Sequence, residues 1–175
     1  MPYYIKRKPK KGGGGDGDGG GQRKPTTPRR PSLSRAVQRL DKVFSLYIRL
    51  RDSRAYGFRA FRCISCGRIK SFEYADCGHY YSRRNMATRF DEDNCHAECS
   101  YCNRFSADHL IAYRLNLVRK IGEQRFALLG VKSKAVRKWS VWELEELTKH
   151  YAALVKGLEA EAARGGNGGN NKQSV

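Results

Sequence analysis

Two Cys-x-x-Cys pairs, Cys63/Cys66 and Cys99/Cys102, constrain this chain more than any other feature. Each pair offers two sulfurs from one tight turn, and two pairs together complete the tetrahedral thiolate set that holds structural zinc. The gap from Cys66 to Cys99 is longer than in a simple zinc ribbon, so something must fold between the pairs. That segment carries Asp76, His79 and Asn94, groups suited to hydrolytic chemistry. Zinc bound at the four cysteines supplies folding free energy on the order of 10 kcal/mol, which a small basic domain needs.

The charge is lopsided. Of 175 residues, 35 are Lys or Arg and 17 are Asp or Glu, so the formal net charge is 35 − 17 = +18. With 39% hydrophobic residues this reads as one folded domain with tails and a polyanionic partner, nucleic acid ahead of a membrane surface. No apolar run approaches the roughly 20 residues that span a bilayer. The basic N-terminus lacks the apolar core of a secretory signal. A reducing cytoplasm is therefore expected, where paired cysteines favour metal over disulfides. Cys77 and Cys95 stand outside the pairs and read as packing or spectator thiols.

Composition divides the chain into three. Residues 1–32 combine Lys/Arg clusters with Gly/Asp and Pro-rich runs that bury too little apolar surface to fold, which predicts a disordered basic arm. Its Lys6, Arg7, Lys8, Lys10, Lys11, Arg23, Lys24, Arg29 and Arg30 suit salt-sensitive contact with phosphates. Residues 33–163 form the folded domain, and residues 164–175 a flexible tail.

Within the domain, Val37, Leu40, Phe44, Tyr47 and Leu50 recur at helical spacing and predict a helix over 34–52, capped by Ser34 or Ser32 and closed by a turn at Gly57. The aromatic-rich SFEYADCGHYY reads as one strand, SRRNMATRFDED as an Arg-rich loop, and Asn94 to Cys99 as a second strand. The second cysteine pair opens one helix over CNRFSADHLIAYRLNLVRKIG that stops at Gly122. EQRFALLG predicts a short helix and VKSKAVRKW a basic connector. Ser140 and Glu143 make a capping box for a last long helix. Its Leu144, Leu147, Tyr151, Leu154 and Leu158 form a seam that either packs on the same chain or joins a homodimer.

Strand, loop, strand and helix set around two cysteine pairs resemble the HNH, or ββα-metal, nucleases. In that pattern an Asp-His ends the first strand, an Asn lies five residues before the third zinc cysteine, and His or Asn follows the last one. Here Asn94 lies five residues before Cys99 and Asn103 directly follows Cys102. More closely, CISCG, DCGHYYSR, RFDEDNCHAEC and CNRFSADHLIAYRLNLVRKIG resemble the NinG (Rap) family of lambdoid phage recombination endonucleases. The likeness extends from the LDKVFSLYIRLRD helix to about Gly130.

The resemblance implies an α+β fold: a small zinc-stapled ββα-metal core with flanking helices. It implies a structure-specific endonuclease cutting branched recombination intermediates such as Holliday junctions and D-loops. His79 would be the general base and Asn94 would fix its loop or tautomer. Asp76 and Asn103 would hold a catalytic Mg²⁺ or Mn²⁺ through hard oxygens, as the thiolates hold zinc. The usual Asp-His neighbours are here Asp76-Cys77-Gly78-His79, so Asp76 must reach the metal from further back, through a bulge at Gly78. His96 and Asp108 are alternative ligands, and His109 reads as a helix-surface residue. Arg83, Arg84, Arg89 and Arg104 flank the site with Tyr80, Tyr81 and Tyr101 interleaved, which suits phosphates and unpaired bases at a branch. The alternatives are a non-catalytic zinc-dependent DNA-binding module and an HNH nuclease for ordinary duplex or single strands.

Overall fold

The computed structural model describes residues 32–166. The predicted basic arm therefore lies almost entirely outside the described residues, as does most of the predicted tail.

Helix α1, Leu33–Ser53, starts where the Ser32 hydroxyl accepts from the Arg35 N–H at 3.4 Å. Ala36, Leu40, Phe44 and Ile48, each four residues apart, are its buried stripe. A 3₁₀ turn at Arg54–Tyr56 follows, and Gly57 reverses the chain with φ of 63°, a left-handed conformation that glycine adopts without a Cβ penalty.

Two small antiparallel sheets come next. Strands β1, Ala60–Arg62, and β2, Ile69–Ser71, pair in register Phe61↔Lys70, and their connecting turn holds the first cysteine pair. Strands β3, Ala75–His79, and β4, Cys95–Cys99, pair in register Cys77↔Ala97. The single strand expected over SFEYADCGHYY is thus broken. A 3₁₀ turn at Phe72–Tyr74 separates β2 from β3, held by the Phe72 N–H bonding the Arg59 carbonyl at 2.9 Å. The Arg49 guanidinium lies 4.8 Å from the centre of the Phe72 ring. This turn carries the chain from one hairpin to the other, which an unbroken strand could not do.

The long helix expected after the second cysteine pair is also broken. It divides into α2, Ser100–Phe105, and α3, His109–Ile121, because Ser106 is extended with φ −88° and ψ 114°. Gly122 ends α3 as expected, its N–H bonding the Val118 carbonyl at 2.8 Å. Helix α4, Glu123–Ser133, runs three residues beyond the predicted EQRFALLG segment. Helix α5, Val141–Gly166, continues two residues past Arg164, where the tail was expected to begin.

The capping box of α5 is reciprocal: the Glu143 N–H donates to the Ser140 hydroxyl at 3.2 Å, and the Ser140 N–H to the Glu143 carboxylate at 2.8 Å. Helix α5 lies along α1, with Leu144 and Tyr151 in one buried cluster with Leu40, Phe44 and Ile48. Leu147 and Leu154 pack against the same cluster, so Leu144, Leu147, Tyr151 and Leu154 of the predicted seam pack within the chain. A second cluster joins Phe61, Ala75 and Ala97 to three of the paired cysteines, and a third joins Ile64 to Tyr113, Leu117 and Leu129. No helix among the described residues is long and apolar enough to cross a membrane.

Candidate functional site

The cysteine pairs meet because each sits at an element junction. Cys63 and Cys66 lie on the β1–β2 turn, Cys99 ends β4, and Cys102 falls in the first turn of α2. Their four sulfurs lie within 4.8 Å of one another. The turn is set by the Gly67 N–H on the Cys63 carbonyl at 2.9 Å and the Cys99 N–H on the Cys63 sulfur at 3.3 Å. Gly67 has φ of 68°, as the turn after the second sulfur requires. Burial pushes the Cys63 thiol up to about 11, against backbone N–H groups that favour its thiolate, and pushes Cys102 up as well. Donor type, number and spacing fit tetrahedral zinc, which when bound would clamp both hairpins and α2 together.

The β3–β4 hairpin presents two chemically distinct faces. Side chains alternate along a strand, so Asp76, Gly78, His96 and Glu98 share one face, and Cys77, His79, Cys95 and Ala97 the other. The ladder is continuous through Gly78, so the expected bulge is absent. Gly78 serves a different need: a Cβ there would lie 2.8 Å from the Cβ of Glu98 and would strike its carboxylate.

On the first face Asn103, in α2, donates its side-chain amide to Asp76 at 3.1 Å. Arg104 grips the same carboxylate with two bonds of 2.8 Å. Burial raises the Asp76 carboxyl, but the Arg104 and Asn103 bonds outweigh it and hold the group below its ordinary value. The side-chain oxygen of Asn103 is not engaged by that bond, so the pair offers hard oxygens to a cation.

On the second face the His79 ring lies between two carbonyls, Nδ1 at 3.2 Å from that of Cys77 and Nε2 at 3.1 Å from that of Arg89. Burial depresses its pKa, and Arg83 adds to the depression, so the ring is neutral near pH 7. Asn94 is fully buried and ties the loop down: its oxygen accepts from the Tyr81 N–H at 2.7 Å, and its amide donates to the Tyr81 and Thr88 carbonyls at 3.0 Å. The Cys77, His79 and Cys95 ligand atoms lie within 4.8 Å of one another, so these cysteines are neighbours of the histidine. The structure thus joins Asp76 to Asn103 and His79 to the Asn94-locked loop, with Asp76 and His79 on opposite faces.

The other ligand candidates go elsewhere. His96 is buried with Nδ1 at 2.9 Å from Arg51 and 3.4 Å from Asp52. Asp108 is exposed at the start of α3 and caps nothing. His109 is held by a residue that the sequence reading missed: Glu98, fully buried, lies 2.7 Å from its Nδ1 and accepts from the Ser65 hydroxyl at 2.5 Å. Alternation through CHAEC puts Glu98 on the same face as His96, but only the register sets it opposite Asp76, and nothing local announced that a charged residue there would be enclosed.

Of the four flanking arginines, Arg83, Arg84 and Arg104 are exposed, whereas Arg89 turns inward to a bidentate pair with Asp41 at 2.9 and 2.5 Å. Tyr101 and Phe105 stand exposed on α2 with ring centroids 6.3 Å apart. Tyr80 and Tyr81 pack against each other, and Tyr80 also against Tyr113 and Phe126.

A family model described as Bacteriophage Lambda NinG protein matches residues 22–161. The Protein ninG of Escherichia phage 933W is 32% identical over 124 residues, covering 70% of this chain and 57% of that protein. The Protein ninG of Escherichia phage lambda is 30% identical over 124 residues, covering 70% and 56%. That of Salmonella phage P22 is 31% identical over 123 residues, covering 70% and 57%. The chain spans a little over half the length of these curated relatives. No solved structure matches it. The family match takes in both hairpins, both cysteine pairs and the helices from α1 to most of α5, and the chain belongs to the NinG family.

Proposed function

We propose that the chain is a metal-dependent endonuclease with an HNH-like core that cleaves branched DNA in phage recombination, acting in the cytoplasm of the bacterial host. The observation that carries the reading is the bond set of Asn94. A fully buried amide fixes both Tyr81 and Thr88, and with them the loop whose Arg89 carbonyl faces the His79 ring. A neutral imidazole oriented by a fixed carbonyl is what proton removal from an attacking water needs. Asp76 and Asn103 would hold Mg²⁺ or Mn²⁺, and the bound cation would stabilise charge on the phosphate and leaving oxygen. Asp76 and His79 leave opposite faces of β3, whose outer edge pairs with no other strand among the described residues. A phosphate laid along that edge would meet both. Arg104, released from Asp76 by the cation, would be free for the phosphate, with Arg83 and Arg84 reaching the flanking backbone.

A second reading is favoured by specific bonds. Both His79 nitrogens face carbonyls, and Asp76 is already neutralised by Arg104. That arrangement also suits a zinc-dependent DNA-binding module without catalysis. Labelled four-way junctions, flaps and plain duplex, incubated with Mg²⁺ or with EDTA, separate the two. The nuclease reading expects branched substrates cut and plain duplex spared, with no cleavage in EDTA. It also expects His79→Ala to bind junctions and lose cleavage by at least ~100-fold. Binding without cleavage by the unaltered chain, or full cleavage by His79→Ala, would sink this mechanism.

A further inference from the structure

Cys77 and Cys95 need an account that packing alone does not give. Both lie on the face of the hairpin that carries His79, which is directly opposite Cys95 in the ladder. The three ligand atoms lie within 4.8 Å of one another. A fourth donor is at hand: the Arg89 carbonyl oxygen lies 3.1 Å from His79 Nε2 and 3.6 Å from the Cys95 sulfur. Ligands around one tetrahedral zinc, at about 2.0–2.3 Å from it, are themselves about 3.3–3.8 Å apart. The His79–Arg89–Cys95 spacings are close to that range before any ion draws them in. Two thiolates balance the charge of Zn²⁺, which makes the enclosed site electrically neutral when filled. The set contains two thiols, one imidazole and no side-chain carboxylate, a combination that selects zinc over magnesium.

We infer that Cys77, His79 and Cys95, completed by the Arg89 carbonyl, form a second zinc site that takes His79 out of service when it is filled. Zinc enters as Zn²⁺, two thiol protons leave to solvent, and the imidazole lone pair that would accept a proton from water is donated to the metal instead. The carbonyl closes the fourth position, so no water is left on the ion to act as nucleophile. Three side-chain ligands hold zinc less tightly than four, so this ion exchanges while the Cys63–Cys66–Cys99–Cys102 ion stays. The site stands on its own geometry, whereas its inhibitory effect rests on the proposed nuclease function.

The test begins with counting. The full chain, loaded with excess zinc and desalted, should carry about two zinc ions by mass spectrometry, and a mild chelator should remove about one. Cys77→Ser/Cys95→Ser should carry about one, with an unchanged circular dichroism spectrum. Cys77→Ser alone, at the half-exposed position, serves if the double variant does not fold. Cobalt substitution gives a second readout: thiolate-to-cobalt absorption should rise in two steps in the unaltered chain and in one step in the variant. A single zinc in the unaltered chain, or equal counts in chain and variant, would overturn the site.

Cleavage in Mg²⁺ should slow at least ~10-fold on adding the second zinc. In the cysteine variant the ratio of rates with and without added zinc should stay near one. An unaltered chain that carries both ions and still cuts at full rate would overturn the inhibition. If neither form cuts any substrate, the nuclease reading fails and the zinc count alone decides the site.

Discussion

Asp52 shows how much one carboxylate can organise. It ends α1, where a negative charge opposes the helix dipole, yet it is almost fully buried. It accepts from the Ala97 N–H at 2.8 Å, Lys120 at 2.9 Å and Arg51 at 3.0 Å, with His96 3.4 Å away. Burial raises its carboxyl, but the His96, Arg51 and Lys120 contacts together win and hold it far below the ordinary value. A folded-state pKa below the unfolded one adds stability that is present above the unfolded value, about 4, and is lost as pH falls toward the folded one. Stability should therefore drop as pH is lowered from about 5 to about 3, and Asp52→Asn should flatten that drop. At neutral pH the variant should lose on the order of 3 kcal/mol, because three donors lose a charged acceptor. Urea unfolding across that pH range checks both. Gly78→Ala is the companion experiment. The added methyl has no room above Glu98, so a loss of roughly 1–3 kcal/mol is expected, read as a lower midpoint in the same assay. A neutral outcome would mean that Glu98 moves freely, against its place between Ser65 and His109.

At the scale of elements, the long helices were legible and the short ones were not. Helices α1 and α5 carry apolar stripes over many turns, and their ends carry capping side chains, so local chemistry fixes them. The break at Ser106 and the turn at Phe72–Tyr74 have no such signal, since both segments keep residues compatible with continuing the element. They break because the cysteine pairs must meet and because α3 must fold back over the hairpin, where Tyr113 donates to the Gly78 or Asn94 carbonyl at 3.1 or 3.2 Å. Two substitutions separate local from tertiary stabilisation of α5. Ser140→Ala removes half of a capping box and should cost about 1 kcal/mol. Leu144→Ala opens a cavity against α1 and should cost roughly 2–5 kcal/mol. Thermal melts should rank them in that order, and the reverse order would mean that the α1–α5 contact is peripheral.

For the whole molecule, charge is the dominant property. The N-terminal arm holds nine basic residues and two Asp, so it contributes 9 − 2 = +7 of the net +18. Deleting residues 1–31 should weaken DNA binding and flatten its dependence on salt, measured as the slope of log affinity against log salt from about 50 to 200 mM. An unchanged slope would assign the phosphate contacts to the folded part. The seam on α5 belongs to this scale too: its periodicity was visible in the sequence, but only the position of α1 against it showed that Leu144, Leu147, Tyr151 and Leu154 pack within the same chain. What the sequence determined by itself is whatever depends on residue type and spacing: the two cysteine pairs, the helix stripes and caps, and the excess of positive charge. What tertiary structure alone decided is which side chains meet. Strand alternation and register put Asp76 with Asn103 on one face of the hairpin, and His79 with Cys77 and Cys95 on the other. Residues three apart on a strand point opposite ways, and the meaning of that separation depends on which helix covers each face.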